Sequence, residues 1–123
     1  MRLVLLLDAD APTVEALCDV LEQEPFLCVS ASSGAEGLRI LKERSPALVI
    51  VDDDLPDMNG ATFLLQKASV PTIADIPVVV TTANSRLQPL SGAAAMLYKP
   101  FGIDNLLAAV RKYLPTDDEP AAA

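Results

Sequence analysis

The sequence contains no histidine and no tryptophan, and its aromatic residues make up only 4% of 123 positions. Without histidine, imidazole metal sites and histidine-based triads are excluded, so any acid, base or metal chemistry must come from carboxylates, lysine and hydroxyls. Cationic side chains are also scarce. Nine lysines and arginines against seventeen acids leave a net charge of −8, and the electrostatic footprint of a phosphate-backbone binder is missing. Direct nucleic-acid binding is not expected. No apolar run approaches the roughly 20 residues that span a bilayer, so no membrane partner is expected either. Met1 and Arg2 lead straight into a short apolar stretch with no cleavable signal pattern, which makes the expected location cytoplasmic. The two cysteines, Cys18 and Cys28, lie among apolar neighbours and read as small core residues rather than as a disulfide.

What is present is the material of one hydrophobic core: 51% hydrophobic and 21% charged residues on a chain of single-domain length. Leu3–Leu7, Ala47–Val51 and Val78–Val80 are continuous apolar runs, the pattern of strands covered on both faces of a parallel sheet; Phe26–Val29 and Ala94–Leu97 are weaker runs of that kind. Helical periods lie between and after them. Val14, Leu17, Cys18 and Leu21 fall at i, i+3, i+4 and i+7, and Ile103, Leu106, Leu107 and Val110 repeat the spacing. Ser33 with Glu36 forms a capping box for a second helix, and Asn59 before Gly60 caps a third through Phe63, Leu64 and Lys67. Strand alternating with helix on so short a chain predicts an α/β fold with a doubly wound, five-stranded parallel sheet rather than an eight-fold barrel. The domain is expected to run over 1–114, with 115–123 a flexible tail.

In such a sheet, function gathers at the carboxyl ends of the strands. Asp8 and Asp10 follow the first run, and Asp52, Asp53 and Asp54 follow the third. Aspartate is a common cap and turn residue, which accounts for single cases at such places but poorly for five in two groups. Grouped carboxylates repel unless a cation is present, and Mg²⁺ takes oxygen ligands of this sort. Thr82 and Lys99 end the fourth and fifth runs. Asp8, Asp52, Thr82 and Lys99 on one sheet edge would supply a metal ligand, an anion or nucleophile, a hydroxyl donor and a cation, the parts that phosphoryl transfer requires.

Leu-Leu-Leu-Asp8, Val-Ile-Val-Asp52 continuing to Asn59-Gly60, Pro77 to Ala83 with Thr82, Gly92-Ala93, and Lys99-Pro100-Phe101 resemble, in this order and over about residues 2–114, the receiver domain of two-component response regulators. The resemblance implies a flavodoxin-like strand order of 2-1-3-4-5 and a phosphorelay signalling function. It implies that Asp52, four residues before Pro56, accepts phosphate from a histidine kinase or phosphotransfer protein. Thr82 would bond the phosphoryl group and Lys99 would pair with it. Asp8, Asp52 and the backbone carbonyl of Asp54 would hold Mg²⁺, and the bond before Pro100 would be cis. Such a module is not an enzyme beyond its own phosphoryl transfer and dephosphorylation. Output would go to a downstream protein or to an output domain missing from this chain.

Three positions depart from the family pattern. Ala9 stands where the second acidic Mg²⁺ ligand belongs, so weak metal binding is expected, with Asp10 or the Asp54 side chain as a substitute. Met96 occupies the position of the aromatic switch on the fifth strand and also reads as core filler. Only nine residues, Ala83–Ser91 with Pro89 among them, separate Thr82 from Gly92, so the fourth helix is expected to be shortened or absent. Partner contact would then use the first helix, around Glu15–Glu22, or the last, around Ile103–Leu114. The alternative reading is a receiver-like interaction module that is not phosphorylated in practice. A reading from another class is an aspartate-nucleophile phosphatase of the haloacid dehalogenase type, which Asp8-Ala9-Asp10 suggests. Against it, Pro12 stands where that motif wants Thr or Val, and the fold needs a longer chain.

Overall fold

The computed structural model of the protein describes residues 2–114, so the tail expected over 115–123 lies outside the described residues. The order of elements is β1 (Arg2–Leu7), α1 (Ala11–Leu21), β2 (Phe26–Ala31), α2 (Gly34–Arg44), β3 (Leu48–Asp52), α3 (Gly60–Ala68), β4 (Val78–Thr82), β5 (Ala95–Tyr98) and α4 (Ile103–Tyr113). The five strands pair in parallel in the order β2-β1-β3-β4-β5, as expected. All five residues of β3 and of β4 are buried, which is why these strands read as unbroken apolar runs.

Alternation along the strands sorts the core into two layers. Val4, Leu6, Leu48, Ile50 and Val79 pack with Leu21 of α1 and with Leu106, Ala109 and Val110 of α4. Leu5, Leu7, Val49, Val51, Val78 and Val80 pack with Leu38, Ile40 and Leu41 of α2 and with Phe63 and Leu64 of α3. Each fully buried large apolar side chain contributes about 1.5–3 kcal/mol, so the doubly wound sandwich follows from burying both faces of the central strands at once. Cys18 and Cys28 are free thiols half-buried in the α1 layer; burial and a hydrogen bond with Cys18 push the Cys28 thiol up.

The caps fall where the sequence places them. Ser33 Oγ accepts the Glu36 N–H at 3.2 Å, and Asn59 Oδ1 accepts the Thr62 N–H at 2.8 Å. Between β4 and β5 the described chain forms turns and no helix, with Leu87 N–H bonded to Asn84 O and Ala93 N–H to Leu90 O. Gly92 makes the re-entry into β5 with φ of 92°, a conformation that side chains disfavour. Leu90 and Ala93 from this segment pack against the core layer of α2 and α3, and Tyr98 Oη donates to Leu87 O at 2.7 Å. Among the described residues no helix is long and apolar enough to cross a membrane.

Candidate functional site

The chain leaves β1 towards β2 and leaves the neighbouring β3 in the opposite direction, towards β4, so the carboxyl ends of β1 and β3 flank a crevice. Asp8 follows β1 and Asp52 ends β3. The two residues are only 3% and 8% exposed, unusual for carboxylates without partners. Asp8 Oδ1 accepts the Asp10 N–H at 2.9 Å, and Asp52 Oδ1 accepts the Asp54 N–H at 3.1 Å. Each aspartate thereby orients itself on the backbone two residues ahead.

Lys99 supplies the facing cation. Its Nζ stands 3.1 Å from Asp52 Oδ2 and 3.8 Å from Asp8 Oδ2. Its backbone N–H bonds Thr82 O at 2.8 Å, and the Lys99–Pro100 peptide bond that follows is cis. Burial is the main reason the Asp8 carboxyl lies above the usual carboxylate range, and the charge of Asp52 adds to it. The Asp10 N–H and Lys99 pull in the opposite direction. Thr82, 2% exposed, lies one residue beyond Thr81, the residue in register with Asp52. Its Oγ1 accepts the Asn84 N–H at 3.0 Å, which leaves the hydroxyl proton free to donate.

The structure brings Asp8, Asp52, Thr82 and Lys99 to one edge, but it disperses the other acids. Asp10 is the N-cap of α1: its Oδ2 accepts from Thr13 N–H at 3.1 Å and from the Thr13 hydroxyl, whose bond is the larger cause holding the Asp10 carboxyl low. It does not join the buried pair. Asp53 Oδ1 binds the Gly60 N–H at the start of α3, at 2.9 Å. The Asp54 side chain is exposed. Capping therefore accounts for Asp10 and Asp53, although the sequence grouped them with the site. Met96 is half-buried against the core layer of α2 and α3.

Sequence reasoning missed the roles of two charged residues. Asp57 binds the first two N–H groups of α2, a contact between segments 22 and 23 positions apart. Lys67, 4% exposed, donates to Ala74 O at 2.7 Å and is pushed down by burial, against an opposing effect of Asp75. Helical spacing, with Lys67 four residues after Phe63, already put it on the inward face but without a role; nothing local marks Asp57.

As a cation site, the arrangement offers hard oxygen donors only. Among the described residues no group of three or more Asp, Glu, Cys or His side chains comes together to hold a metal ion. The carboxylates of Asp8 and Asp52, with a backbone carbonyl, fit Mg²⁺ in its usual mode of few protein ligands and several waters. An open cleft of about 310 Å³ borders this edge, with Asp8, Ala9, Glu15, Ser30 and Glu36 in its lining.

A family model described as response regulator receiver domain matches residues 4–111. The chain is 35% identical over 116 residues to the transcriptional regulatory protein KdpE of Mycobacterium tuberculosis, covering 90% of this chain and 50% of KdpE. It thus spans about half the length of that relative. To sporulation initiation phosphotransferase F of Bacillus subtilis it is 32% identical over 104 residues, covering 80% of this chain and 82% of that protein. Among solved structures, the response regulator protein TrrA of Thermotoga maritima, in complex with Mg²⁺-BeF, superposes with a TM-score of 0.84 at 26% identity, covering 93% of this chain and 100% of that one. With the sheet order, the buried aspartate pair and the lysine at the end of β5 already in place, these matches lead to one conclusion: the chain belongs to the response regulator receiver domain family.

Proposed function

We propose that this chain is a phosphoacceptor module of a two-component phosphorelay, with residues 1–114 as the signalling unit and Asp52 as the acceptor. Receiver domains are signalling modules rather than classical enzymes, and their chemistry is one phosphoryl transfer onto aspartate. The observation that carries the reading is the buried Asp52 carboxylate, with Oδ1 fixed by the Asp54 N–H and Oδ2 by Lys99. An oxygen so held attacks phosphorus as the bond from phosphorus to the donor's leaving group breaks, and catalysis consists of positioning and charge neutralisation. The acyl phosphate then gains contacts from Lys99 Nζ and the Thr82 hydroxyl, the first charge-assisted. The carboxylates of Asp8 and Asp52 and the carbonyl of Asp54 would hold Mg²⁺. Bound there, Mg²⁺ supplies the counter-charge that phosphoryl oxygens need in an acidic crevice. Ala9 contributes no ligand, so the affinity is weaker than with a complete acidic pair, and Asp10 stays committed to its cap.

The module works in the cytoplasm and takes its phosphoryl group from a histidine kinase or phosphotransfer protein. Output passes to a downstream protein or to an output domain outside this chain, without direct nucleic-acid contact by this unit. A second reading, constitutive binding without phosphorylation, is favoured by Ala9 and by the helix missing between β4 and β5. Intact mass after incubation with acetyl phosphate and Mg²⁺ separates the two. The acceptor reading expects one phosphoryl adduct, lost in Asp52→Asn; an adduct that survives this substitution, or none in the wild type, overturns it.

A further inference from the structure

The loop from Asp53 to Asn59 leaves β3 and returns into α3 as a narrow hairpin, with Asp54 and Asn59 bridged antiparallel. Two aspartates tie it to its own ends, Asp52 through the Asp54 N–H and Asp53 through the Gly60 N–H. The third tie runs elsewhere. Asp57 Oδ1 accepts the Gly34 N–H at 2.8 Å and Oδ2 the Ala35 N–H at 2.9 Å, so both oxygens of an exposed carboxylate are spent on the start of α2. The Met58 side chain lies so close to Gly34 that a Cβ there would have to displace it. With Ser33 Oγ on the Glu36 N–H, the first three N–H groups of α2 are all taken. The N-terminal end of a helix dipole favours a carboxylate, and the N–H of Ala35 and then of Gly34 hold the Asp57 carboxyl below the usual range.

We propose that Asp57 is a positioning residue for the acceptor site: by clamping the β3–α3 loop to α2 it fixes the backbone of Asp54 over Asp52. This rests on the reading of Asp52 as acceptor and of the Asp54 carbonyl as a Mg²⁺ ligand. A carboxylate that merely capped α2 would act like Ser33, which serves the same helix end and bonds no residue of the loop. The difference between the two residues is therefore the measure of positioning.

Asp57→Ala, Asp57→Asn and Ser33→Ala are compared by thermal melting, by the rate of acetyl phosphate labelling at several Mg²⁺ concentrations, and by amide hydrogen exchange. Both alanine variants melt lower. Asp57→Ala labels about ten- to a hundredfold more slowly with a higher Mg²⁺ requirement, because small displacements of positioning groups cost this much. Asp57→Asn, which keeps one acceptor oxygen, recovers part of the rate, and Ser33→Ala labels like the wild type. Wild-type labelling in Asp57→Ala, or equal slowing in Ser33→Ala, overturns the proposal. If the wild type does not label, the acceptor reading fails by itself. The Asp54 amide then decides the clamp: faster exchange in Asp57→Ala but not in Ser33→Ala sustains it, and unchanged protection refutes it.

Discussion

Lys99→Met removes the cation that faces two buried carboxylates while keeping most of the side chain's length and apolar volume. In the native site Nζ lies 3.1 Å from Asp52 Oδ2 and 3.8 Å from Asp8 Oδ2. At an effective dielectric of about 20, such contacts are each worth roughly 4–5 kcal/mol before desolvation. Removing one partner of a buried pair costs about 3–5 kcal/mol, because the remaining charge stays buried and uncompensated. The Lys99 side chain is 30% exposed, so solvent already screens part of the attraction. A loss of about 2 kcal/mol at pH 7.5 is the discounted expectation, or roughly 6–12 °C in Tm for a domain of this size. The pH dependence has a definite sign. Without the cation, burial and then the charge of Asp52 oppose the ionisation of Asp8 with no lysine to offset them, so the folded variant binds a proton at Asp8 more readily than its unfolded chain does. The destabilisation is then fully present above the raised pKa and is relieved as pH falls through it. Urea unfolding of wild type and variant at pH 7.5 and pH 5 measures this, and the gap should narrow markedly at pH 5. An equal gap at both values, or no loss at pH 7.5, would refute the assignment of Lys99 as the counter-ion of the pair.

Ala9→Asp should tighten Mg²⁺ binding by about 1–2 kcal/mol, five- to thirtyfold in Kd by titration, and Asp10→Ala should leave the Kd unchanged while lowering the melting temperature as a lost cap. Equal Mg²⁺ affinity with and without the acid at position 9 would remove Ala9 as the defect. Asp8→Asn should stabilise the fold at pH 7. Burial raises the Asp8 carboxyl pKa in the folded state, so its charge costs stability above that pKa and the advantage of asparagine shrinks as pH falls. Thermal melts across pH 4–8 would show the opposite trend if Asp8 were a net stabiliser when charged. Addition of beryllofluoride, a phosphoryl mimic, should move amide chemical shifts at the site and little over Asn84–Met96, with any partner footprint on α1 or α4. Large shifts spreading across Asn84–Met96 would mean that this short face still switches.

Composition, periodicity and local signals were enough for the architecture. The apolar runs of β1, β3 and β4 had to be buried on both faces, Ser33 and Asn59 had to end helices, and the nine residues after Thr82 had no room for another. The position of Asp8, Asp52, Thr82 and Lys99 at strand ends was equally legible, because in a parallel sheet all carboxyl ends share an edge. The division of labour among the acids was not. Asp8 and Asp10 are both short carboxylates after the same strand. One is buried against Lys99, and the other turns to Thr13 on the surface. Asp52 and Asp53 are adjacent, yet the pleat sends them to different partners, Lys99 and Gly60. Which hydrogen-bond donor a carboxylate meets depends on how elements pack, and for Asp57 the donors lie 22 and 23 positions away in the chain. Only the tertiary structure could bring α2 to that loop, bury Lys67 under the carbonyl of Ala74, and separate the two acids that face the lysine from those that cap helices.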